Sequence, residues 1–410
     1  MAKYVIIGNS TAAIGCVEGI RSVDADGEIV LVSSEKHHTY SRPLISYLLE
    51  GKTDEERMKY RPDSFYADQR VTAKLGVEAT KVDAEEKTVT LESGETISYE
   101  KLLVATGSTP FIPPMQGLET VKKAFTFMSL DDARALEGAL TPESRVLIIG
   151  AGLIGLKCAE GIAERVQSIT VVDMADRVLP SILDETGSDI VRAHLEKHGM
   201  TFYLNDTVAS FDGNHAALKS GTALDFDVLV IAVGVRPAMS LVKEAGGEVR
   251  RGIAADNTGR TTLPDVFAAG DCAESFDISA GMNRVLALLP NAYMQGHTAG
   301  VNMAGGTASF ENAIPMNAIG FMGLHIITAG TYDGETYTAK DGENYKILFY
   351  KDDLLKGYIL IGNVARAGIY TALIRSRTPL SSIDFDLICE KPQLMAFTSS
   401  ARRDLLSRKQ

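Results

Sequence analysis

The chain has 410 residues, of which 45% are hydrophobic and 23% charged, close to the average of globular proteins. This composition excludes a disordered, collagen-like or coiled-coil chain, and the length predicts two to four domains of about 100–200 residues each. With 41 basic and 53 acidic residues the formal net charge is −12, which argues against nucleic-acid binding through a basic face.

The cysteines, histidines and apolar runs of the sequence indicate whether the chain binds a metal and in which cellular compartment it works. Four cysteines stand apart, with no C-x-x-C pair or cluster for a disulfide framework, a zinc site or an iron–sulfur site. His194 and His198 have a helical spacing, but no third ligand accompanies them, so no metal is predicted. The longest apolar runs, such as Val228–Val233, are far shorter than the about 20 residues of a membrane span. The chain opens directly into a strand without a visible signal peptide, and we expect a cytoplasmic protein.

The strongest pattern is an internal repeat with an offset of 142 residues, from Gly8 to Gly150. Each copy reads as an apolar strand, a tight turn of small residues, an amphipathic helix and a second apolar strand. The second strands are Ile29–Val32 and Ile169–Val172. This β-α-β order, found twice, predicts two nucleotide-binding modules of like design.

The two copies also end alike, and a different pattern follows them. Each copy continues through two polar turns, which predict a meander of short strands, and reaches an apolar strand with a glycine turn. A third such strand and a helix come next, and then short alternating strands that predict a smaller α+β domain ending in a charged helix. The segments are, in order, turns at 82–87 and 92–95, the strand at 102–107, turns at 212–214 and 219–221, the strands at 228–234 and 266–271, the helix at 291–299, the strands from about Pro315, and the helix near 402–409.

The second glycine turn, Gly150-Ala151-Gly152-Leu153-Ile154-Gly155, satisfies the pattern G-x-G-x-x-G in full. Free backbone N–H groups and the dipole of the following helix make such a turn an anion site, and its glycines allow a pyrophosphate to approach. Asp173 ends the next strand, where a carboxylate accepts hydrogen bonds from ribose hydroxyls and repels a 2′-phosphate. We therefore predict NADH binding rather than NADPH binding at this turn.

The first turn, Gly8-Asn9-Ser10-Thr11-Ala12-Ala13, is a degenerate version of the same pattern. A serine and an alanine stand where the second and third glycines would be, and both are small. No carboxylate ends the next strand, so the residue that meets the ribose is left open among Ser33, Ser34 and Glu35.

Together with these turns, four short motifs make the chain resemble the pyridine nucleotide-disulfide oxidoreductase superfamily along nearly its whole length. The resemblance implies an α/β fold with two Rossmann-like β-α-β domains, one for FAD and one for NAD, plus a smaller C-terminal α+β domain. The implied ranges are 1–115 and 245–314 for the FAD domain, 116–244 for the NAD domain and 315–410 for the C-terminal domain. The motifs are Ala105-Thr106-Gly107, Ala232-Val233-Gly234-Val235-Arg236-Pro237, Ala269-Gly270-Asp271 and Gln295-Gly296.

The resemblance also implies cofactor contacts. Asp271 is expected to bind a ribityl hydroxyl of FAD, and Ala79 to meet the adenine through its backbone. Arg42 offers a fork of donors to the pyrophosphate or ribose, and the helix that begins near Leu289 and Pro290 would direct its N-terminus at the flavin. The other expected cofactor-binding residues are Gly8, Ser10, Ala13, Ser34, Glu35, Pro43, Ala105, Thr106, Gly107 and Gly270 for FAD, and Gly150, Gly152, Leu153, Ile154, Gly155, Asp173, Val233 and Gly234 for NAD.

The loop that follows the first β-α-β unit, His38–Ser46, narrows the subgroup. In the superfamily, disulfide reductases carry a redox cysteine pair near the flavin, and related NADH oxidases and coenzyme A disulfide reductases carry a single cysteine. His38–Ser46, the matching loop here, contains none. The form Tyr-x-Arg-Pro-x-x-Ser resembles NADH:rubredoxin reductases, ferredoxin reductases of dioxygenases, nitrite reductase flavin domains, and flavoprotein subunits of phenylglyoxylate and tungsten aldehyde oxidoreductases. These pass electrons from FAD one at a time to an iron or iron–sulfur partner. Without a thiol there is no covalent relay, so we expect an NADH:acceptor oxidoreductase whose flavin contacts a rubredoxin- or ferredoxin-type acceptor directly.

One departure from the family concerns Lys157, which stands where many relatives have a glutamate near the nicotinamide, with Glu160 one turn later. We predict both as catalytic residues, with Lys157 pairing either with the reduced flavin or with a carboxylate; a solvent-facing lysine is the alternative. Two other functions stay open. The first is an NADH oxidase that uses oxygen, although the missing cysteine counts against the water-forming type. The second is a flavin-binding assembly subunit, against which the intact second turn counts.

Overall fold

The computed structural model describes residues 2–400, 402 and 403. They form two compact units. The first contains the chain up to Val178 together with Gly199–Phe276 and Asn283–Glu311, and the second contains Leu179–His198, Asp277–Met282 and the chain from Asn312 onward. The charged helix predicted near 402–409 lies largely outside the described residues, and the three-domain boundaries stay a prediction.

Strands alternate with helices over most of the described chain and dominate its C-terminal part. The strands are β1 (Ala2–Ile7), β2 (Ile29–Ser33), β3 (Val71–Leu75), β4 (Ala79–Asp83), β5 (Thr88–Leu91), β6 (Thr96–Val104), β7 (Ser108–Pro110), β8 (Ala124–Phe125), β9 (Arg145–Ile149), β10 (Ser168–Val172), β11 (Met200–Tyr203), β12 (Val208–Asp212), β13 (His215–Leu218), β14 (Ala223–Asp225), β15 (Val228–Ile231), β16 (Val235–Pro237), β17 (Val266–Ala268), β18 (Glu274–Asp277), β19 (Met282–Val285), β20 (Met316–Phe321), β21 (Leu324–Gly330), β22 (Glu335–Asp341), β23 (Asn344–Lys351) and β24 (Leu354–Ile361).

Helices follow the glycine turns and connect the parallel strands. Short 3₁₀ helices lie at Arg42–Leu44, Leu118–Thr120, Ala163–Arg165, Leu380–Ser382 and Leu394–Ala396. The α-helices are α1 (Thr11–Arg21), α2 (Ile45–Leu49), α3 (Glu55–Met58), α4 (Phe65–Asp68), α5 (Leu130–Ala139), α6 (Leu153–Ile162), α7 (Glu185–Lys197), α8 (Ser240–Glu244), α9 (Leu289–Met303), α10 (Ala367–Ser376) and α11 (Phe385–Glu390). No helix within the described residues is long and apolar enough to cross a membrane.

The first copy of the repeat forms a seven-stranded sheet in the order β3-β2-β1-β6-β5-β4, with β17 also paired to β6. Strands β3, β2, β1, β6 and β17 run parallel. All of β1 except Lys3 is buried, as expected of a parallel strand covered on both faces. The predicted meander is present as the antiparallel strands β4, β5 and β6.

The second copy repeats this design. Its parallel sheet has the order β11-β10-β9-β15-β8, and its meander is the three-stranded sheet β12-β13-β14. Both copies therefore place a glycine turn between a central parallel strand and a helix, after β1 and after β9. This confirms the predicted α/β fold class and its duplicated β-α-β plan.

The C-terminal part has its own antiparallel sheet, ordered β20-β21-β24-β23-β22. A separate core beneath it includes Tyr358 and Tyr370, which are almost fully buried. Lys346 donates hydrogen bonds to the carbonyl oxygens of Cys389 and Glu390, the last two residues of α11. A cation at a helix C-terminus satisfies carbonyls that lack partners within the helix, so Lys346 fastens α11 to the sheet.

Helices α1 and α9 pack with their backbones in direct contact. A Cβ atom added at Gly15 or Gly19 of α1 would overlap carbonyl oxygens of α9. Likewise, a Cβ at Gly296 or Gly300 of α9 would overlap carbonyl oxygens of α1. Glycine on both helices thus sets their separation, and with it the position of the α1 N-terminus after β1.

We expect Gly300→Ala to lower the free energy of unfolding by about 1–3 kcal/mol, because the added methyl group must push the two helices apart. Gly138→Ala in α5 is the matched control, since a Cβ there meets nothing within 4 Å. That control should be neutral or stabilise the protein by up to about 1 kcal/mol through helix propensity. Urea denaturation measures both, and equal stability of the two variants would contradict the close contact.

Candidate functional site

A cleft of about 330 Å³ lies beside the first glycine turn, where the parallel strands β1, β2 and β6 end. This is the edge of an open parallel sheet at which ligands generally bind. The cleft brings together most residues predicted to hold FAD. Those that line it are Gly8, Ser10, Ser34, Glu35, Arg42, Ala79, Ala105, Thr106, Gly107, Gly270, Asp271 and Leu289.

Three residues predicted for the same role do not line the cleft. Ala13 is fully buried in α1, where it packs in the core of the first unit. Pro43 and Pro290 are exposed, each in the first turn of a helix. Their expected contribution is to helix geometry, since the proline ring fixes the backbone φ near its helical value and the missing N–H is not needed in a first turn.

Glu35 and Arg42 form an ion pair in the cleft wall. The hydroxyl of Tyr40 donates to Glu35 at 2.7 Å and accepts a hydrogen bond from the backbone N–H of Leu130 at 2.9 Å. The Arg42 guanidinium also donates to the carbonyl of Met128 at 3.2 Å. All three candidates for the ribose contact, Ser33, Ser34 and Glu35, line the cleft. Of these, Glu35 is the carboxylate.

Asp271 lies in the same cleft, after β17. Burial raises the pKa of its carboxyl group, and the charge of Arg42 partly opposes that effect. Burial alone would lower the pKa of Arg42, but Tyr40 and Glu35 outweigh it and raise this pKa. The backbone N–H of Gly270 donates to Gln295 of α9 at 2.6 Å. The helix that packs on α1 therefore also holds the Gly270-Asp271 turn.

The second glycine turn uses its glycines in two ways. Gly150 has φ +116°, and a Cβ atom there would overlap the carbonyl oxygen of Ala232. A Cβ at Gly155 would in turn overlap the carbonyl oxygen of Gly150, so helix α6 lies directly on the strand. At Gly152 a Cβ would meet nothing within 4 Å. Gly152 thus keeps open the space in front of the α6 N-terminus, which is where a pyrophosphate would approach.

Asp173 is fixed beside this turn. Its carboxylate accepts hydrogen bonds from the backbone N–H of Ala151 at 2.6 Å and of Ala175 at 2.8 Å. Leu153 and Ile154 begin α6 and are half-buried. Val233 and Gly234 follow β15, and the Val233 side chain is exposed. The residues predicted for NAD therefore gather at one end of the second parallel sheet, separate from the lining of the cleft.

Lys157 does not face solvent. Its ammonium group forms an ion pair with Glu160 and lies 4.7 Å from the ring centre of Tyr47 in α2. The two charged side chains are 16% and 8% exposed. Of the predicted alternatives, pairing with a carboxylate is the one that the structure contains.

Several cleft residues are absent from the sequence-based prediction. Asn9 stands within the first turn, and His38 and Tyr40 precede Arg42 in the loop that identified the subgroup, so these three had a positional signal. Ser108 follows the Thr106-Gly107 motif directly. No sequence signal marked Met128 as a cleft residue, because it reaches the cleft from a loop far along the sequence.

None of the four cysteines lines the cleft, and all four are buried as free thiols. Cys272 follows Asp271 but points into the core, where its thiol contacts the carbonyl oxygens of Val104 and Ala269. Burial raises the pKa of this thiol, which makes a reactive thiolate unfavourable. The cleft thus lacks a thiol relay.

Residues 2–296 match the family model of the pyridine nucleotide-disulphide oxidoreductases. The chain belongs to this family. Among curated relatives, it is 32% identical to "NADH-dependent phenylglyoxylate dehydrogenase subunit epsilon" of Aromatoleum evansii over 93% of both chains. It is 30% identical to "Rubredoxin-NAD(+) reductase" of Pseudomonas putida, covering 73% of this chain and 80% of that protein. Two further relatives are about twice as long, and the chain spans 48% of each.

Solved structures share the fold. The covalent putidaredoxin reductase–putidaredoxin complex superposes with a TM-score of 0.87, covering 99% of this chain and 98% of that chain at 21% identity. The predicted family, the two-module fold and an oxidoreductase built for FAD and NAD(H) are thereby confirmed. The roles of individual residues stay predictions.

The raised pKa of Asp271 has a consequence for stability in the absence of flavin. A carboxyl group whose folded pKa is raised stabilises the fold only at low pH, and this contribution is lost as pH rises through that pKa. Asp271→Asn should therefore raise the melting temperature at about pH 7, and the gain should shrink toward about pH 4.

Asp227 provides a control of opposite sign. Hydrogen bonds from the Arg145 side chain and backbone lower the pKa of its carboxyl group. Asp227→Asn should therefore lower the melting temperature at about pH 7. If both variants shift the melting temperature in the same direction, the raised pKa assigned to the Asp271 carboxyl group is wrong.

Proposed function

We propose that the protein is a FAD-dependent oxidoreductase that transfers electrons between NAD(H) and a protein iron or iron–sulfur acceptor. One observation carries this proposal. A complete G-x-G-x-x-G turn with its carboxylate and a second nucleotide cleft occur in one chain, and no cysteine lines that cleft.

The cleft residues suit FAD. The N-terminus of α1 and the first glycine turn offer N–H groups to a pyrophosphate, Glu35 offers a carboxylate to a ribose, and Asp271 offers one to the ribityl chain. Arg42 supplies the compensating positive charge near both carboxylates. Bound FAD would supply hydride acceptance from NADH and release of single electrons. The protein's own residues bind and orient the two nucleotides, and no side chain needs to act as an acid or base.

The acceptor follows from the missing thiol. A chain without a cysteine at the cleft has no covalent relay, so the acceptor must approach the flavin itself. The printed names of the relatives, rubredoxin reductase and an NADH-dependent dehydrogenase subunit, support a rubredoxin-type protein or an iron–sulfur subunit of a larger complex. Such a complex can transfer electrons in either direction, so that NADH is formed or consumed. The free thiols support our placement of the protein in the cytoplasm.

The first experiment compares acceptors. With NADH as donor, we expect a rubredoxin or ferredoxin to be reduced much faster than oxygen is consumed by the flavin-loaded protein. Faster consumption of oxygen than of either iron protein would favour the NADH oxidase alternative. A protein that carries flavin but is not reduced by NADH would favour an assembly role.

The nucleotide preference depends on Asp173. We expect Asp173→Ala to raise KM for NADH about tenfold, because the ribose hydroxyls lose their acceptor, while KM for NADPH changes less because a repulsive charge is gone. Asp176→Ala, three residues later, removes an exposed carboxylate and should change neither constant. Steady-state kinetics with both nucleotides decides, and an unchanged NADH/NADPH ratio in the Asp173 variant would contradict the assignment.

The predicted role of Lys157 is tested through the flavin potential. If its positive charge favours the reduced flavin, Lys157→Gln should lower the midpoint potential of the bound flavin and Lys157→Arg should preserve it. A purely structural lysine would change stability alone, since its replacement by a neutral side chain removes a positive charge next to the buried Glu160 carboxylate. Spectroelectrochemical titration separates the two, and an unchanged potential in Lys157→Gln would refute a catalytic role.

A further inference from the structure

A cavity of about 440 Å³ lies within the second unit, lined by residues of β23, β24, α10 and the segment at the end of α11. Its volume falls in the range of about 300–1,000 Å³ that is typical of sites for small molecules. It shares no lining residue with the cleft beside the first glycine turn. The function proposed above therefore makes no use of this cavity.

The charged side chains that line the cavity are mostly cations. They are Lys346, Arg366 and Lys391, together with a single carboxylate, Glu390. Lys346 is half-buried and the other three residues are exposed, so a ligand can reach them. The lining thus has a surplus of two positive charges in a chain whose formal net charge is −12. Cations gathered around one space repel one another, and a bound anion relieves that repulsion.

Hydrogen bonds bring the three cations to one short segment of the chain. The Lys346 ammonium group donates to the carbonyl oxygens of Cys389 and Glu390, the latter at 3.0 Å. The Arg366 guanidinium donates to the carbonyl oxygen of Pro392 at 3.0 Å. Lys391 lies within this segment, between the carbonyls that the other two cations bind.

The carbonyl contacts use N–H donors of Lys346 and Arg366 but do not cancel their charges. None of the three cations forms an ion pair with a carboxylate of the described residues. Burial lowers the pKa of the Lys346 ammonium group, and the charge of Glu390 opposes this effect in part. An anion in the cavity would compensate for the lost hydration of that ammonium group. The Arg366 guanidinium keeps further N–H donors, in a fork that matches the oxygens of a phosphate.

The surplus charge and its location select among small anions. A phosphate monoester carries about −1.5 to −2 near pH 7 on a single group. One carboxylate carries half of that charge, and a dicarboxylate distributes it over two separate ends. Because the cations meet one short segment, a ligand with both charges on one group fits them best. The amide groups of Asn363 and Gln393 also belong to the lining and can bond neutral polar atoms of the same ligand.

We propose that the second unit binds a small phosphate monoester in this cavity, with Lys346, Arg366 and Lys391 around the phosphate group. Binding at this place is independent of the proposed function, because it requires neither nucleotide.

The test is a calorimetric titration of the full-length protein with inorganic phosphate, in a phosphate-free buffer that contains saturating FAD and NAD⁺. The two nucleotides occupy the glycine turns, which are themselves anion sites. We expect phosphate to bind with a dissociation constant of about 1 mM or lower. Arg366→Gln and Lys391→Gln should each raise this constant about five- to tenfold, through the loss of a charge-assisted contact. Glu390→Gln should lower it about two- to threefold, because a like charge is removed.

Arg375→Gln is the matched control, since Arg375 is an exposed arginine of the same helix, α10, that does not line the cavity. It should leave the dissociation constant within about twofold of that of the parent protein.

Three outcomes would overturn the proposal: no binding of phosphate, effects of Arg366→Gln and Lys391→Gln no larger than that of Arg375→Gln, or tighter binding of succinate than of phosphate. If Arg366→Gln fails to fold after losing its contact with Pro392, Lys391→Gln and Glu390→Gln keep the test decisive, because both side chains are exposed. A protein that binds neither FAD nor NAD⁺ would contradict the proposed function instead, and the variants would still locate the phosphate.

Discussion

The backbone contact between α1 and α9 is the constraint on which the FAD-side cleft depends. Glycines on both helices allow carbonyl oxygens to approach where any side chain would intrude. The N-terminus of α1 is thereby held after β1, where it can meet a pyrophosphate. On the other helix, Gln295 holds the N–H of Gly270 and with it the turn that carries Asp271. One packing contact thus places two walls of the cleft, although the helices lie far apart in the sequence.

The two modules hold the carboxylate proposed for the ribose contact with different polar groups. In the second module, Asp173 bonds the backbone of its own glycine turn, so its carboxylate is fixed by the turn that it serves. In the first module, Glu35 is instead held by Arg42 and Tyr40. The loop that supplies these two residues is the one in which the resemblance to the superfamily led us to look for a redox cysteine. Here it contributes a charged network to the cleft wall instead of a thiol.

Local patterns allowed much of this to be predicted from the sequence. The repeat, both meanders, the third strand and the C-terminal sheet follow from apolar periodicity and turn residues, and the structure contains them all. The glycine turn at Gly150 was predictable because its three glycines have separate steric roles. Pairing of Lys157 with a carboxylate was one of three alternatives, and the burial of Lys157 against Tyr47 depends on how α2 packs on α6. The position of Met128 in the cleft could not be predicted from the sequence, because only the tertiary fold brings its loop there.

The most direct test of the account is an anaerobic titration of the purified protein with NADH, followed through the flavin absorbance. We predict that one equivalent of NADH bleaches the flavin and that no thiolate–flavin charge-transfer band appears, since no cysteine lines the cleft. A flavin that stays oxidised with NADH, or a charge-transfer band at long wavelength, would contradict it.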